Sequence, residues 1–242
     1  MQSSEKCCGF AGALLLAILH RAILQQSPQC RDNGGMARLL PLFPLQLVAF
    51  PGAATPLHIF EERYREMVGK AEAAGTEFGI IRTVTRGEES GLASAGCTVT
   101  VESVLHRYPD GRFDVITRGR RRFRIVSLDD DKPYLRGAVE YFDDEQSELI
   151  PDEFVDRALK AYERLGEGAS APERGDRNLS FRLADGIDDL DFRSILLQSR
   201  SELHRLRSFT DFVDGYISRR EYVTQVRKKA PTNGSGHKRS GV

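Results

Sequence analysis

From Leu39 to Phe142 apolar residues recur at alternate positions or in short runs, the pattern of β-strands. Leu39-Leu40-Pro41-Leu42-Phe43 and Leu47-Val48-Ala49-Phe50 are punctuated by Pro41, Pro44 and Pro51. Proline brings no ladder donor, so these strands are expected to be short, bent or at an edge. After Pro56 the period lengthens. Phe60, Tyr64, Met67, Val68 and Ala71 then fall on one helical face, with Gly75 as the stop. Phe78 to Val84 predicts a buried strand, Gly87 to Gly96 a polar loop, and Cys97 to Tyr108 a longer strand. Pro109-Asp110-Gly111 supplies turn chemistry. Arg112 to Thr117 and Arg121 to Leu128 follow as strands. The polar turn Asp129-Asp130-Asp131-Lys132-Pro133 precedes a closing strand from Tyr134 to Phe142. Short strands around one inserted helix predict a small, partly closed barrel.

The period changes again after Asp143-Asp144-Glu145. Pro151 suits a first helical turn, and Phe154, Val155, Ala158, Leu159, Tyr162 and Leu165 repeat at helical spacing. Gly166 to Asp176 reads as a loop. Further helices are expected around Phe181, Leu183, Ala184 and Ile187, then Phe192, Ile195 and Leu196, and finally from Leu203 through Leu206, Phe209 and Val213 to Ile217. The fold class is therefore α+β. An N-terminal extension (1–37) precedes a β-rich unit (38–145), a helical unit (146–226) and a disordered basic tail (227–242).

Charge narrows the function classes. The 242 residues hold 35 Lys plus Arg and 35 Asp plus Glu, a formal net charge of zero. A general nucleic-acid coat protein carries a positive surplus instead. Four cysteines are too few for a disulfide scaffold, and no pair has C-x-x-C spacing. Cys7, Cys8 and Cys30 sit in the extension, beside an apolar run from Phe10 to Leu19. That run falls short of the roughly 20 residues a spanning helix needs, so stable membrane insertion is not expected. Three readings of the segment stand side by side: a stretch upstream of a start at Met36, a short amphipathic helix, or a poor signal peptide.

Catalytic motifs are missing. Gly69-Lys70 is followed by Ala71, with Tyr64 where a phosphate loop needs its first glycine. Gly91 to Gly96 holds Ser94 with one residue too many for a nucleophile elbow. His20, His58, His106, His204 and His237 show no metal-ligand spacing, and Cys97 reads as a small core hydrophobe. No cofactor is expected. The carboxylates Asp129–Asp131, Asp143–Glu145 and Asp188, Asp189 and Asp191 read as solvated loops or helix starts. The sharpest basic feature is Arg118-Gly119-Arg120-Arg121-Arg122-Phe123-Arg124. One reading is a phosphate-tracking strip with Tyr108 and Phe113 as stacking partners. The other is strand alternation, with Phe123 and Ile125 inward and Arg122 and Arg124 toward water.

A more specific signature runs through Leu40-Pro41-Leu42-Phe43-Pro44, Phe50-Pro51-Gly52, Pro56-Leu57-His58-Ile59-Phe60-Glu61 and Arg63-Tyr64-Arg65-Glu66-Met67. Phe78-Gly79, Gly96-Cys97, Gly119-Arg120-Arg121-Arg122-Phe123-Arg124, Tyr134 to Glu140 and Ser180-Phe181-Arg182-Leu183-Ala184 follow in order. As a set these motifs resemble the substrate-binding (N-terminal) domain of Lon protease, from about Arg38 to Ile217. The resemblance implies a PUA-like β-barrel followed by a helical bundle, in a stand-alone form without the ATPase and peptidase domains. Phe43, Phe50, Leu57, Phe60 and Tyr64 are expected in its core, Pro51-Gly52 in a tight turn, and His58 on backbone groups beside the helix start.

The function this implies is non-catalytic recognition of unfolded or tagged protein segments, in bacterial cytoplasmic protein quality control, as an adaptor to a protease or independently of one. His58, Glu61 and Arg65 are the surface candidates for peptide contact. The alternative is an RNA-binding PUA-like module contacting RNA through Arg120, Arg121 and Arg122.

Overall fold

The computed structural model describes residues 39–87, 89–145, 149–166 and 172–229. The expected N-terminal extension and most of the basic tail lie outside them. Among the described residues, six strands and five helices follow in chain order: β1 (Leu40–Leu45), β2 (Ala54–Ile59), α1 (Glu62–Ala74), β3 (Phe78–Arg86), β4 (Glu89–Arg107), β5 (Phe113–Asp129), β6 (Arg136–Phe142), α2 (Asp152–Leu165), α3 (Leu179–Leu183), α4 (Leu190–Gln198) and α5 (Glu202–Lys229). The fold is mixed α+β. One sheet has the order β2-β5-β4-β3-β1-β6, and β6 also pairs with β5. Pairing thus runs in a circuit through β5, β4, β3, β1 and β6, with β2 attached outside it on β5. β1 runs parallel to β3, while the other pairings are antiparallel.

The circuit has two apolar faces because strand side chains alternate. Leu40, Leu42, Ile81 and Phe123 turn into one core, with Ile125, Leu128 and Val139 packed around them. Their neighbours Phe43, Ile80, Cys97 and Val99 turn to the opposite face and join a larger core. That core receives Tyr64, Met67, Val68 and Ala71 from α1, spaced as one helical stripe. It also receives Phe181, Leu183, Phe192, Leu196, Leu206, Phe209 and Val213 from the C-terminal helices. The helices therefore share a core with the sheet. Phe50 stacks on Phe181 at 4.9 Å, and Arg193 spans the same junction by donating to the Val48 carbonyl and lying over the Phe50 ring.

Several expectations hold at residue level. Gly75 ends α1 with φ 61°, its N–H on the Ala71 and Glu72 carbonyls. Ala53 N–H closes a turn onto the Phe50 carbonyl with Gly52 at φ 77°, the geometry Pro51-Gly52 favours. Other expectations are corrected. Gly87 to Gly96 is mainly strand, because the β3–β4 hairpin turns at Gly87 and β4 begins at Glu89. Leu47 to Phe50 is irregular, although Val48, Ala49 and Phe50 are buried. The two strands expected between Arg112 and Leu128 are one, continuous through Gly119. Phe60 lies outside the helix and is 59% exposed, so it is not core. α5 continues to Lys229, which makes Arg227 to Lys229 helical rather than tail.

Cys97 packs as the small hydrophobe expected, fully buried on β4. Burial pushes its thiol up to about 12, partly countered by a backbone hydrogen bond. Thiolate is the reactive form, so Cys97 should resist maleimide at pH 8 and label only on unfolding. Peptide mapping of the labelled protein checks this, and rapid native labelling at Cys97 would contradict the packing.

Candidate functional site

Leu57 and Ile59 point from β2 into the core, so alternation sends Ala54, Pro56 and His58 to the solvent face. Asp114 on β5 stands in register with His58 on β2 and with His106 on β4. The result is a row across three strands. Nδ1 of His58 donates to Oδ1 of Asp114 at 2.5 Å, and the Tyr108 hydroxyl donates to Oδ2 at 2.8 Å. The His58 and Tyr108 hydrogen bonds hold the Asp114 carboxyl below its usual range, and Asp114 in turn raises the Tyr108 phenol. Tyr108 meets His106 edge-on at 4.3 Å and carries the Arg112 guanidinium over its ring. His58 stacks on the exposed Phe60 at 5.9 Å, and Leu105, displaced by a bulge in β4, is also exposed. This end of the sheet thus presents an aromatic and apolar surface to solvent.

The three peptide-contact candidates separate slightly. His58 and Arg65 both reach the β4–β5 hairpin, Arg65 by donating to the Asp110 carbonyl at 2.6 Å. Glu61 instead binds its neighbour Arg63 at 2.6 Å, at the start of α1. His58 hydrogen-bonds a carboxylate, not the backbone groups anticipated for it. Phe60, Tyr108, His106 and Asp114 complete the surface, and sequence reasoning left them out of it. Alternation could have found Phe60: Leu57 and Ile59 inward leaves His58 and the residue after Ile59 outward, but Phe60 also fits the helical stripe.

A His–Asp pair is two-thirds of a nucleophilic triad. Among the described residues, no Ser, Thr or Cys side chain is hydrogen-bonded to His58. Nor is any group of three or more His, Cys, Asp or Glu arranged to hold a metal ion among them. The arrangement orients an imidazole beside an aromatic surface.

The arginine run divides. Arg118 makes a forked pair with Glu102 at 2.8 and 3.0 Å, and Arg120 donates to Thr100. Arg121 reaches Glu77 at 3.2 Å and lies 3.9 Å from the Tyr141 ring centroid. Arg122, expected to face water or RNA, is only 5% exposed. It donates to Asp144 at 2.5 Å and to the carbonyls of Leu197 and Ser199. The reason is that this stretch of β5 is covered on both faces, Phe123 entering one core and Arg122 passing beneath the helices. Phe113 is likewise buried and offers no stacking surface. Arg120 and Arg121 are the two exposed members of the RNA trio.

Asp144, read as part of a solvated turn, is half-buried and joins two buried arginines in one network. Arg205 of α5, 1% exposed, donates to both Asp144 oxygens, to Glu202 and to the Ser180 hydroxyl, while Glu202 accepts from Ser180 N–H at 2.9 Å. Burial alone would raise the Asp144 carboxyl, but hydrogen bonds and charge from Arg205 and Arg122 hold it below its usual range. An open recess of about 380 Å³ lies over this seam between sheet and helices. It is lined by Glu145, Ile195, Gln198, Arg200 and His204, together with Ser199 and Ser201.

Comparison with known proteins agrees with this architecture. The sequence profile of the ATP-dependent protease La (LON) substrate-binding domain matches residues 39–208. The Lon protease of Flavobacterium johnsoniae is 26% identical over 171 residues, 69% of this chain and 20% of that protein. Lon protease 2 of Myxococcus xanthus is 29% identical over 125 residues, 50% of this chain and 15% of that protein. The chain thus spans about one fifth, or less, of these relatives' length. The crystal structure of the Lon N-terminal domain protein from Xanthomonas campestris is 30% identical, covering 70% of this chain and 95% of that one with a TM-score of 0.54. The N-terminal domain of the Mycobacterium avium complex Lon protease shares the fold at 16% identity, covering 73% of this chain and 98% of that one with a TM-score of 0.50. No described helix is long and apolar enough to cross a membrane. The chain belongs to the Lon substrate-binding domain family.

Proposed function

We propose that this protein recognises unfolded or tagged protein segments without acting on them chemically, as a cytoplasmic adaptor to a protease. In this reading the five-strand circuit is a PUA-like barrel and α2 to α5 its helical subdomain. The observation that carries it is the exposed aromatic end of the sheet, where Phe60, His58, Tyr108 and His106 meet solvent on a family scaffold for substrate binding. Apolar and aromatic groups left in water on a folded protein gain free energy when a partner's apolar side chains cover them. A folded partner hides such side chains, whereas an unfolded chain offers them.

The test uses a reduced, carboxymethylated protein that cannot refold, alongside its native form, each titrated into the full chain by fluorescence anisotropy. Binding is expected for the unfolded form, weakened about tenfold by Phe60→Ser, the order of magnitude for losing one large apolar contact. Because Phe60 is exposed, its replacement should leave stability within about 0.5 kcal/mol. Equal binding of both forms, or none, would overturn the proposal.

A further inference from the structure

Gly119 of β5 donates its N–H to the Ala53 carbonyl at 2.9 Å and accepts from Gly52 N–H at 3.0 Å. Its backbone groups therefore face the β2 side, and so do those of every second residue before it: Thr117, Val115 and Phe113. Their register partners Thr55, Leu57 and Ile59 face β5 in return. Ala54, Pro56 and His58 thus turn their backbone groups to the opposite edge. Among the described residues β2 is the strand that pairs on one side alone, and no hydrogen bond from those three backbones to another element is present. Pro56 occupies a position where its missing N–H costs no ladder bond inside the sheet.

The edge consequently offers both backbone groups of Ala54, both of His58 and the Pro56 carbonyl. Resting on the recognition reading above, we infer that β2 captures an extended segment of an unfolded polypeptide as an added strand, with backbone hydrogen bonds supplying sequence-tolerant affinity. The segment's alternate side chains lie beside Pro56, His58 and the exposed Phe60, so β-branched or aromatic residues at every second position fit best. A second copy of this chain is the poorer occupant. Twofold antiparallel pairing of β2 about its middle sets Pro56 opposite Pro56, each facing a carbonyl with no donor to give. The proline thus blunts the edge toward itself while leaving it open to other chains.

The test restores the missing donor. Pro56→Ala adds one outward N–H, so a fluorescein-labelled peptide of alternating valine and threonine should bind the full chain about fivefold tighter, the worth of one net hydrogen bond. The protein is kept at sub-micromolar concentration, where the variant's own pairing is suppressed. The same peptide N-methylated at every internal residue keeps its side chains but has no donors, and its affinity should fall at least about tenfold. Unchanged affinity on Pro56→Ala, or equal binding of the methylated peptide, overturns the edge. If the carboxymethylated protein still binds under those outcomes, recognition stands and uses another surface. If neither that protein nor the peptide binds, both inferences fall.

Discussion

Replacing Arg205 by methionine is expected to destabilise the protein by about 3–5 kcal/mol, a large share of the roughly 5–15 kcal/mol that holds a domain folded. Methionine fills much of the volume but leaves the half-buried Asp144 and the more deeply placed Glu202 without their common partner. Arg122 can answer only Asp144, and the Ser180 hydroxyl loses an N–H donor. Urea unfolding measures the effect, with Arg118→Met as the comparison. Arg118 also pairs with a carboxylate, but on the surface, and its loss should cost less than about 1 kcal/mol. Similar costs for the two variants would contradict the buried network. Acid should act through the same site. The Asp144 carboxyl is depressed in the folded state, so its contribution is complete above the unfolded carboxylate range near pH 4 and disappears as pH falls through the folded value. In the Arg205→Met background this acid-dependent loss should shrink. The network also decides how an RNA experiment would read: alanine at Arg120, Arg121 and Arg122 together would lower binding by unfolding the chain, whatever the first two contact.

Gly119→Ala is expected to be nearly as damaging. A Cβ at this position would stand 1.9 Å from the Phe50 carbonyl oxygen and 2.8 Å from its carbon, both main-chain atoms in a turn fixed by Pro51-Gly52. The β2–β5 ladder must open or the turn must move. The cost should be about 3 kcal/mol or more, lowering Tm by about 10 °C. Gly69→Ala is the contrasting case. Gly69 lies inside α1 with nothing within 4 Å of its added Cβ, so alanine there should stabilise by about 0.5–1 kcal/mol through helix propensity. Calorimetry on the two variants should give shifts of opposite sign.

Local pattern made α1 legible: four inward residues recur at helical spacing, and a glycine stands where the chain must take a left-handed turn. The first half of β4 was illegible for the converse reason. Ser90 to Gly96 lacks the branched and aromatic residues that mark strands, because Phe123 fills the space from the facing strand. At Gly96 an added Cβ would come within 2.5 Å of that ring. Likewise, Gly119 reads locally as a break between strands, although the approach of the Phe50 turn is what requires it. At the candidate site the alternation of β2 exposes His58, but nothing near Asp114 in sequence announces that His58 and His106 will flank it from separate strands. Arg122 is the sharpest case. Its own strand pattern assigns it to water, and only the distant C-terminal helices, with Leu197, Ser199 and Arg205, make its position interior.

The core shared between sheet and helices has a consequence for inheritance. A gene fusion that carried the strands alone, ending at Phe142, would strip from the shared core its helical members and leave Phe50 without the Phe181 ring that stacks on it. Sheet and helices therefore stand or fall together, and a cut at the apparent junction near Glu145 would pass through a single core.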